Sequence, residues 1–205
     1  MLIAIDGPAG AGKSTVARAV AAALGMHYLD SGAMYRCVAL LALREPGADA
    51  GSLARRARIE ADGARVLLDG EDVAAAIRAP AVSAAASRVA AEPAVRAALV
   101  AKQRAILGSG DWVCEGRDIG TVVAPGAELK IYLTADAAER ARRRARELGA
   151  ALRATHEELS DRDARDSARP HSPLRAAADA VVIDATELSA REVTDRVVAL
   201  ARERA

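Results

Sequence analysis

The sequence predicts an α/β protein, a three-layer sandwich in which helices cover both faces of a central parallel sheet. Three observations predict this fold class. Short apolar runs alternate with Ala-rich helical segments along the 205 residues, a glycine-rich loop joins the first run to the first helix, and no internal repeat is found. The length suits one domain, which we place at residues 1–205.

The amino-terminal third shows the alternation most clearly. An apolar strand at 2–5 ends at Asp6, and a helix follows the glycine-rich loop and is expected to end at Gly25 as its C-cap. A second strand is predicted at 27–30, and Ser31 is the expected N-cap of a helix that runs through Arg44. Residues 45–52 are predicted to form a loop.

The middle and the carboxyl-terminal part continue this pattern. Between 58 and 73 the dipeptides Asp62-Gly63 and Asp69-Gly70 indicate hairpin turns and therefore a small β insert. A helical sequence pattern covers 81–107, and Pro93 is expected to begin a new helix in its first turn. The later elements are predicted as strands at 112–115, 129–133 and 180–183, an arginine-rich helix over 140–146, a charged helix near 155–168 and an amphipathic carboxyl-terminal helix.

Composition limits the partners of the protein. Hydrophobic residues make up 52% and charged residues 28%, which is typical of a folded chain, and the net charge is only +1. With 2% aromatic residues and no Phe, the chain lacks the aromatic surfaces on which nucleic acids stack, so we expect no nucleic-acid partner. Cys37 and Cys114 lie among apolar residues and are predicted to be buried thiols. We expect no membrane segment, a cytoplasmic location and a monomer.

One motif predicts the ligand. The run from 7 to 14 fits G-x-x-x-x-G-K-[ST] at every specified position, between a strand and a helix as a P-loop requires. Its backbone N–H groups and the helix N-terminus attract phosphates, Lys13 bridges the outer phosphates and Ser14 holds Mg²⁺. The predicted ATP-binding residues are Gly7, Pro8, Ala9, Gly10, Ala11, Gly12, Lys13, Ser14 and Thr15. Switches, motors and kinases share the motif, so it does not fix the use of the nucleotide.

Charged residues elsewhere predict a second substrate. Arg117-Asp118 follows the strand at 112–115, where many P-loop proteins place another carboxylate, and this pair suggests contact with an anionic ligand rather than an ordinary surface ion pair. Arg162, Asp166 and Arg169 share one helix face at i, i+4 and i+7, which suits a phosphate ester that bears hydroxyls. A solvated charged helix is the alternative, and Pro170 and Pro173 favour a detachable segment instead.

The segment after the second strand adds a further anion site. Ser31 lies at a helix N-terminus and Arg36 one turn later, although Ser31 alone would be read as a cap and Arg36 as a solvated residue. The motifs LDSGAMYR, EGRDIGTVV, RDARDSARPHSPL and AADAVVIDAT follow GPAGAGKST in order. Together they make the sequence resemble the bacterial cytidylate kinases nearly from end to end.

This resemblance implies a nucleoside monophosphate kinase that phosphorylates CMP or dCMP from ATP with Mg²⁺. It implies a P-loop kinase domain with a nucleotide-monophosphate-binding insert at 45–80 and a helical lid at 140–175. The implied catalytic residues are Lys13, Arg36, Arg117, Arg162 and Arg169. The implied CMP-binding residues are Ser31, Arg36, Ser87, Arg96, Arg117, Asp118, Arg162, Asp166 and Arg169.

The same resemblance divides these residues by role. Arg36, Arg117 and Arg169 would hold the acceptor phosphate. Arg162 and Asp166 would contact the ribose, and Ser87, Arg96 and Asp118 would recognise cytosine. The implied lid arginines are Arg140, Arg143 and Arg144, among five arginines in seven positions.

Two alternatives remain open from the sequence. The first is another small-molecule kinase with the same architecture that acts on a different monophosphate or on a hydroxyl. The second is a nucleotide-dependent switch or a nucleic-acid-associated ATPase that uses the basic helix at 140–146 as a contact surface. Near-neutral net charge, few aromatic residues and the absence of an Asn-Lys-x-Asp element argue against the second.

Overall fold

The structure is a computed structural model that describes residues 1–62, 65–149, 151–169 and 172–204. Its strands are β1 (Leu2–Asp6), β2 (His27–Asp30), β3 (Ile59–Asp62), β4 (Arg65–Leu68), β5 (Glu71–Asp72), β6 (Trp112–Gly116), β7 (Leu129–Thr134) and β8 (Val181–Asp184). Its α-helices are α1 (Lys13–Leu24), α2 (Ser31–Arg44), α3 (Ala50–Arg56), α4 (Pro80–Val89), α5 (Pro93–Leu107), α6 (Ala137–Leu148), α7 (Leu152–Ser167) and α8 (Ala190–Arg202). The chain divides into two compact units, one of residues 1–26 and 111–205 and the other of residues 27–110.

A parallel sheet forms the centre of the first unit, with strand order β6-β1-β7-β8. β1 pairs with β6 and β7, so that Ile3 lies opposite both Val113 and Leu129. Strands in the interior of a parallel sheet are covered on both faces, which explains why these three side chains are fully buried. β8 pairs with β7 at the edge of this sheet, where Val182 is 55% exposed. The predicted parallel sheet is confirmed.

Local signals in the sequence set the ends of the first unit's helices. α1 packs against α8 and ends at Gly25, which adopts a left-handed conformation with φ of 67° as predicted. α8 begins at a capping box in which Ser189 and Glu192 satisfy each other's backbone N–H groups. α6 packs against α7, and α7 begins at Leu152, one turn earlier than the sequence predicted.

The second unit combines helix packing with a small antiparallel sheet of order β3-β4-β5. α2 packs against α4, and α3 packs against α5. Asp69 and Gly70 have φ of 52° and 91°, so they form the predicted tight turn between β4 and β5. Asp62 pairs with Arg65 across the other predicted turn, whose residue Gly63 lies outside the described residues. Pro170, expected to end the charged segment, also lies outside them.

Two expectations for the second unit were wrong. Asp30 is the N-cap of α2, because its carboxylate accepts the N–H of Ala33 at 2.9 Å, and Ser31 is the first residue of the helix. The expected loop at 45–52 contains the start of α3 at Ala50. Asp49 caps this helix by accepting the N–H of Ser52 at 2.7 Å, a signal that the neighbouring Pro46 and Gly47 obscured in the sequence.

Two further expectations concern thiols and membranes. Cys37 and Cys114 are both buried thiols outside any disulfide, as predicted, and burial raises the pKa of Cys37 to about 12. Among the described residues, no helix combines the length and the apolar character needed to cross a bilayer.

Candidate active site

The glycine-rich loop between β1 and α1 has two positions that only glycine can occupy. A Cβ built on Gly7 would lie 1.9 Å from the carbonyl oxygen of Leu133, and one on Gly10 would lie 2.8 Å from that of Arg140. Gly10 also has φ of 77°, a left-handed conformation that favours glycine. The loop therefore packs closely against β7 and α6. It ends at the first turn of α1, where free backbone N–H groups attract anions.

Lys13 is the buried cation of this loop. Its ammonium donates a 2.7 Å hydrogen bond to the carbonyl oxygen of Pro8, and the residue is only 6% exposed. Burial lowers the pKa of Lys13 to about 7, and the nearby positive charges of Arg117 and Arg162 add to this effect. An anion bound here would favour the charged form of Lys13, because it would offset both the desolvation and the repulsion.

Ser14 and Thr15 follow Lys13 on the first turn of α1, Ser14 half-buried and Thr15 exposed. A hydroxyl is the kind of hard oxygen ligand that Mg²⁺ accepts beside phosphate oxygens. The residues at the start of α1 therefore fit a magnesium ion that arrives with a nucleotide. The described residues contain no separate cluster of three His, Cys, Asp or Glu side chains that could hold a metal by itself.

Arg117, Asp166 and Arg169 form one cluster in the first unit. Nε of Arg117 donates to the Asp166 carboxylate at 3.0 Å, and the guanidinium of Arg169 contacts the other oxygen of the same carboxylate. Asp166 is 1% exposed, so its buried carboxylate has one guanidinium at each oxygen. The structure thus brings together three residues that are up to 52 positions apart in the sequence. Arg162 lies one turn before Asp166 on α7 and influences Lys13 electrostatically.

Asp6 is a site residue to which the sequence analysis assigned no role. Its two carboxylate oxygens accept the N–H groups of Ile119 and Gly120, both at 2.8 Å. These residues open the π-helical turn Ile119–Val123, which follows Asp118 directly. Asp6 and Asp118 are each 5% exposed, and burial raises the pKa of Asp6 to about 6. A charged residue at the end of a buried strand was the signal available in the sequence.

Two arginines of α6 contact the surroundings of the phosphate loop. Arg140 donates to the carbonyl oxygen of Ala9 at 3.0 Å and pairs with Asp163 of α7. Arg143 donates to the carbonyl oxygen of Ala185 at 2.6 Å, and its Nη1 lies 3.9 Å from the Cβ position of Gly12. Arg140 and Arg143 thus lie against the loop or near it, whereas Arg142 forms an exposed pair with Glu139 of its own helix.

In the second unit, Arg36 and Ser31 lie at the start of α2. Nη2 of Arg36 donates to the Asp30 carboxylate at 2.7 Å, and the Arg36 side chain is 23% exposed. Arg36 is therefore a half-buried, oriented cation and not the solvated helix residue that was the alternative. Ser31 is 4% exposed.

Ser87 and Arg96 are buried in the same unit. Ser87 on α4 is 7% exposed, and Arg96 on α5 is 6% exposed. The Arg96 guanidinium lies 5.6 Å from the ring centroid of Tyr35, a cation–π distance, and donates to the carbonyl oxygen of Ala90 at 3.3 Å. Buried polar side chains of this kind are costly unless they are satisfied.

The parallel sheet, the tight glycine loop after its central strand and the buried lysine define a P-loop protein with the fold of small-molecule kinases. Shikimate kinase from Acinetobacter baumannii has the same fold, with a TM-score of 0.52 at 18% sequence identity over 98% of this chain and 93% of that protein. This similarity confirms the predicted fold class.

The comparison with protein families identifies the group more narrowly. The family model described as cytidylate kinase matches residues 3–203. A cytidylate kinase of Solibacter usitatus is 48% identical over 100% of this chain and 93% of its own length. A cytidylate kinase of Pelotomaculum thermopropionicum is 51% identical over 96% of this chain and 94% of its own length. The chain belongs to the cytidylate kinase family, as the sequence motifs indicated.

Proposed function

We propose that this protein transfers the γ-phosphoryl group of ATP to CMP or dCMP and so forms CDP or dCDP. Membership of the cytidylate kinase family supports the choice of acceptor. One observation supports phosphoryl transfer as the reaction class. Lys13 is buried in the phosphate loop near Arg117 and Arg162, and burial and these two positive charges lower its pKa. Cationic side chains gathered beside the phosphate loop suit the approach of two polyanionic substrates.

Charge repulsion is the main barrier to this reaction. The attacking atom is a phosphate oxygen that is already anionic at neutral pH, so no general base is needed. In our proposal Lys13 binds the donor phosphates and the acceptor phosphate is held by Arg117 and Arg169. Asp166 orients these two guanidiniums by accepting hydrogen bonds from both. Arg36 and Ser31 of α2 are assigned to the same phosphate.

Recognition of the nucleoside is assigned to other buried residues. Asp118 accepts a hydrogen bond from the exocyclic amine of cytosine, where uracil has a carbonyl oxygen that cannot donate. A buried carboxylate that is left unpaired strongly disfavours the wrong base. Ser87 and Arg96 contact the same base, and Arg162 and Asp166 contact the ribose.

Two further assignments concern the donor. The Ser14 hydroxyl would hold the Mg²⁺ that accompanies ATP, and the ion would neutralise charge on the phosphates. Arg140, Arg143 and Arg144 belong to the proposed lid at 140–175, which excludes water that could otherwise accept the phosphoryl group. The cytoplasmic location and the monomeric state remain predictions, and light scattering of the purified chain tests the latter.

A coupled assay of ADP release tests the proposal. MgATP is supplied with CMP, dCMP, UMP, AMP, GMP or dTMP in parallel, together with a reaction that contains no acceptor. We expect strong turnover with CMP and dCMP and weak turnover with UMP. A preference for another monophosphate would contradict the base assignments, and ADP release that is independent of any acceptor would indicate a switch or an ATPase.

Two lysine variants show whether the activity arises at the phosphate loop. We expect Lys13→Met to lower kcat by about a thousandfold, because the loop loses its only lysine. Lys102→Met removes a half-buried lysine of α5 and is expected to retain full activity. Equal activities of the two variants would place the reaction elsewhere.

A further inference from the structure

Asp6 connects the start of the phosphate loop to a distant turn of the chain. It is the last residue of β1 and directly precedes Gly7. Its carboxylate accepts two backbone N–H groups, from Ile119 to Oδ1 and from Gly120 to Oδ2, each at 2.8 Å. These bonds span more than 110 residues of sequence, so they fix one part of the first unit relative to another.

The two hydrogen bonds act as a helix cap supplied from another strand. The first N–H groups of any helical turn have no acceptor within the turn, and a side chain at the N-cap usually satisfies them. Asp118 occupies the N-cap position of the turn Ile119–Val123, but its side chain does not make the cap hydrogen bond. Asp6 performs this function, and Asp118 is the residue immediately before the capped N–H groups.

Close packing makes this arrangement sensitive to small changes. A Cβ built on Gly120 would lie 3.2 Å from Cδ of Lys130 and 3.5 Å from the Asp6 carboxylate. Lys130 has little freedom to move away, because it is 8% exposed and its ammonium is bound by the Pro125 carbonyl oxygen and the Asp179 carboxylate. The turn is therefore held from both sides, by a carboxylate and by an immobilised lysine stem.

We propose that Asp6 is a positioning residue for the acceptor nucleotide: by capping the turn Ile119–Val123 it fixes the corner at Arg117 and Asp118. This inference rests on the proposed function, since it assigns those two residues to the acceptor. An ionised carboxylate suits the role, because it offers acceptors to both N–H groups. An asparagine offers one acceptor, and its amide group would face the second N–H with another donor.

The test compares Asp6→Asn with the wild-type enzyme in steady-state kinetics. We expect the KM for CMP to rise roughly tenfold while the KM for MgATP changes by less than about twofold. General destabilisation or an effect through Lys13 would instead move both KM values or the KM for MgATP alone, and either result would overturn the inference. Asp111→Asn is the matched control, because it removes a carboxylate just before β6, at the opposite end of the same strands.

A double-mutant cycle makes the test specific to the corner. Asp118→Asn and Asp6→Asn are combined, and each KM for CMP is measured. If Asp6 acts through Asp118, the KM of the double variant for CMP should be little higher than that of Asp118→Asn alone. The effects of residues that act as a unit are not additive. Additive effects on the KM for CMP would contradict the inference.

Misfolding of the variant and failure of the proposed function are separate outcomes. If Asp6→Asn does not fold, Gly120→Ala perturbs the same contact from the turn and should show the same selective rise in the KM for CMP. An unchanged KM for CMP in folded Gly120→Ala would overturn the inference. If the wild-type enzyme does not use CMP at all, the proposed function fails first, and the two failures are thereby distinguished.

Discussion

The phosphate loop and the cluster of Arg117, Asp166 and Arg169 both lie in the first unit, but they are built in opposite ways. Backbone geometry determines the loop: Gly7 and Gly10 lie against carbonyl oxygens of other elements, and Lys13 is held by the carbonyl of Pro8. Side chains determine the cluster, in which one buried carboxylate orients two guanidiniums.

This difference determines the charge state and the orientation of the cations in each region before an anion binds. The loop holds Lys13 in an environment that disfavours its charge, so a bound phosphate restores that charge. The cluster keeps its cations paired through Asp166, so they need no bound substrate to remain oriented. Glycine substitutions in the loop should therefore act through steric clashes that displace the backbone. Substitutions in the cluster should act through the loss of a charge.

The largest effect is expected from Gly7→Ala. The added Cβ would lie 1.9 Å from the Leu133 carbonyl oxygen, so either β1 or β7 must shift at the start of the loop. We expect loss of activity by at least about a thousandfold, equivalent to about 4 kcal/mol, together with a lower Tm. ADP release and a thermal melt measure the two effects.

Gly126→Ala is the control for this substitution, because a Cβ there meets no atom within 4 Å. It should retain wild-type activity and Tm. An active Gly7→Ala enzyme would mean that the backbone of the loop is not the constraint, and it would remove the contrast with the cluster.

An intermediate effect is expected from Asp166→Asn. The carboxylate is 1% exposed, and its loss leaves two nearby guanidiniums without their charge partner. We expect a loss of about 3 kcal/mol in the free energy of unfolding. We also expect a fall of about a hundredfold in kcat/KM for CMP with little change in the KM for MgATP. Asp161→Asn, an exposed change on the same helix, should alter neither quantity. Equal losses for both substrates would show that the cluster is not specific to the acceptor.

The same contrast explains which parts of the site could be predicted from sequence. The loop could be predicted because the glycine and lysine spacing is local and the flanking apolar runs define its strand and helix. Asp6 could not be assigned a role, because its partners lie more than 110 residues away and are backbone groups that any residue carries. The contact of Arg140 with the Ala9 carbonyl was hidden for the same reason. Asp49 and Asp30 show that a carboxylate just before a helix decides where it starts even when a serine or a proline lies nearby.

The smallest effect concerns the protonation of Lys13 in the loop. Lys13 has a pKa of about 7 in the free protein, against 10.5 in an unfolded chain, so the unfolded chain binds more protons between these values. The contribution of Lys13 to stability should therefore rise with pH between about 7 and 10. Bound MgATP favours the charged form, so binding above pH 7 should take up a proton, whereas below pH 7 the lysine already carries it.

Calorimetric titration with MgATP, without acceptor and in two buffers of different ionisation enthalpy, measures this uptake. We expect close to one proton per site at pH 8 and close to none at pH 6. Lys13→Met should show no difference between the two pH values, whereas Asp166→Asn should keep the wild-type uptake, because the cluster does not supply this proton. Uptake that persisted in Lys13→Met would assign the titrating group to another residue. Uptake lost in Asp166→Asn would show that proton uptake by Lys13 requires the intact cluster.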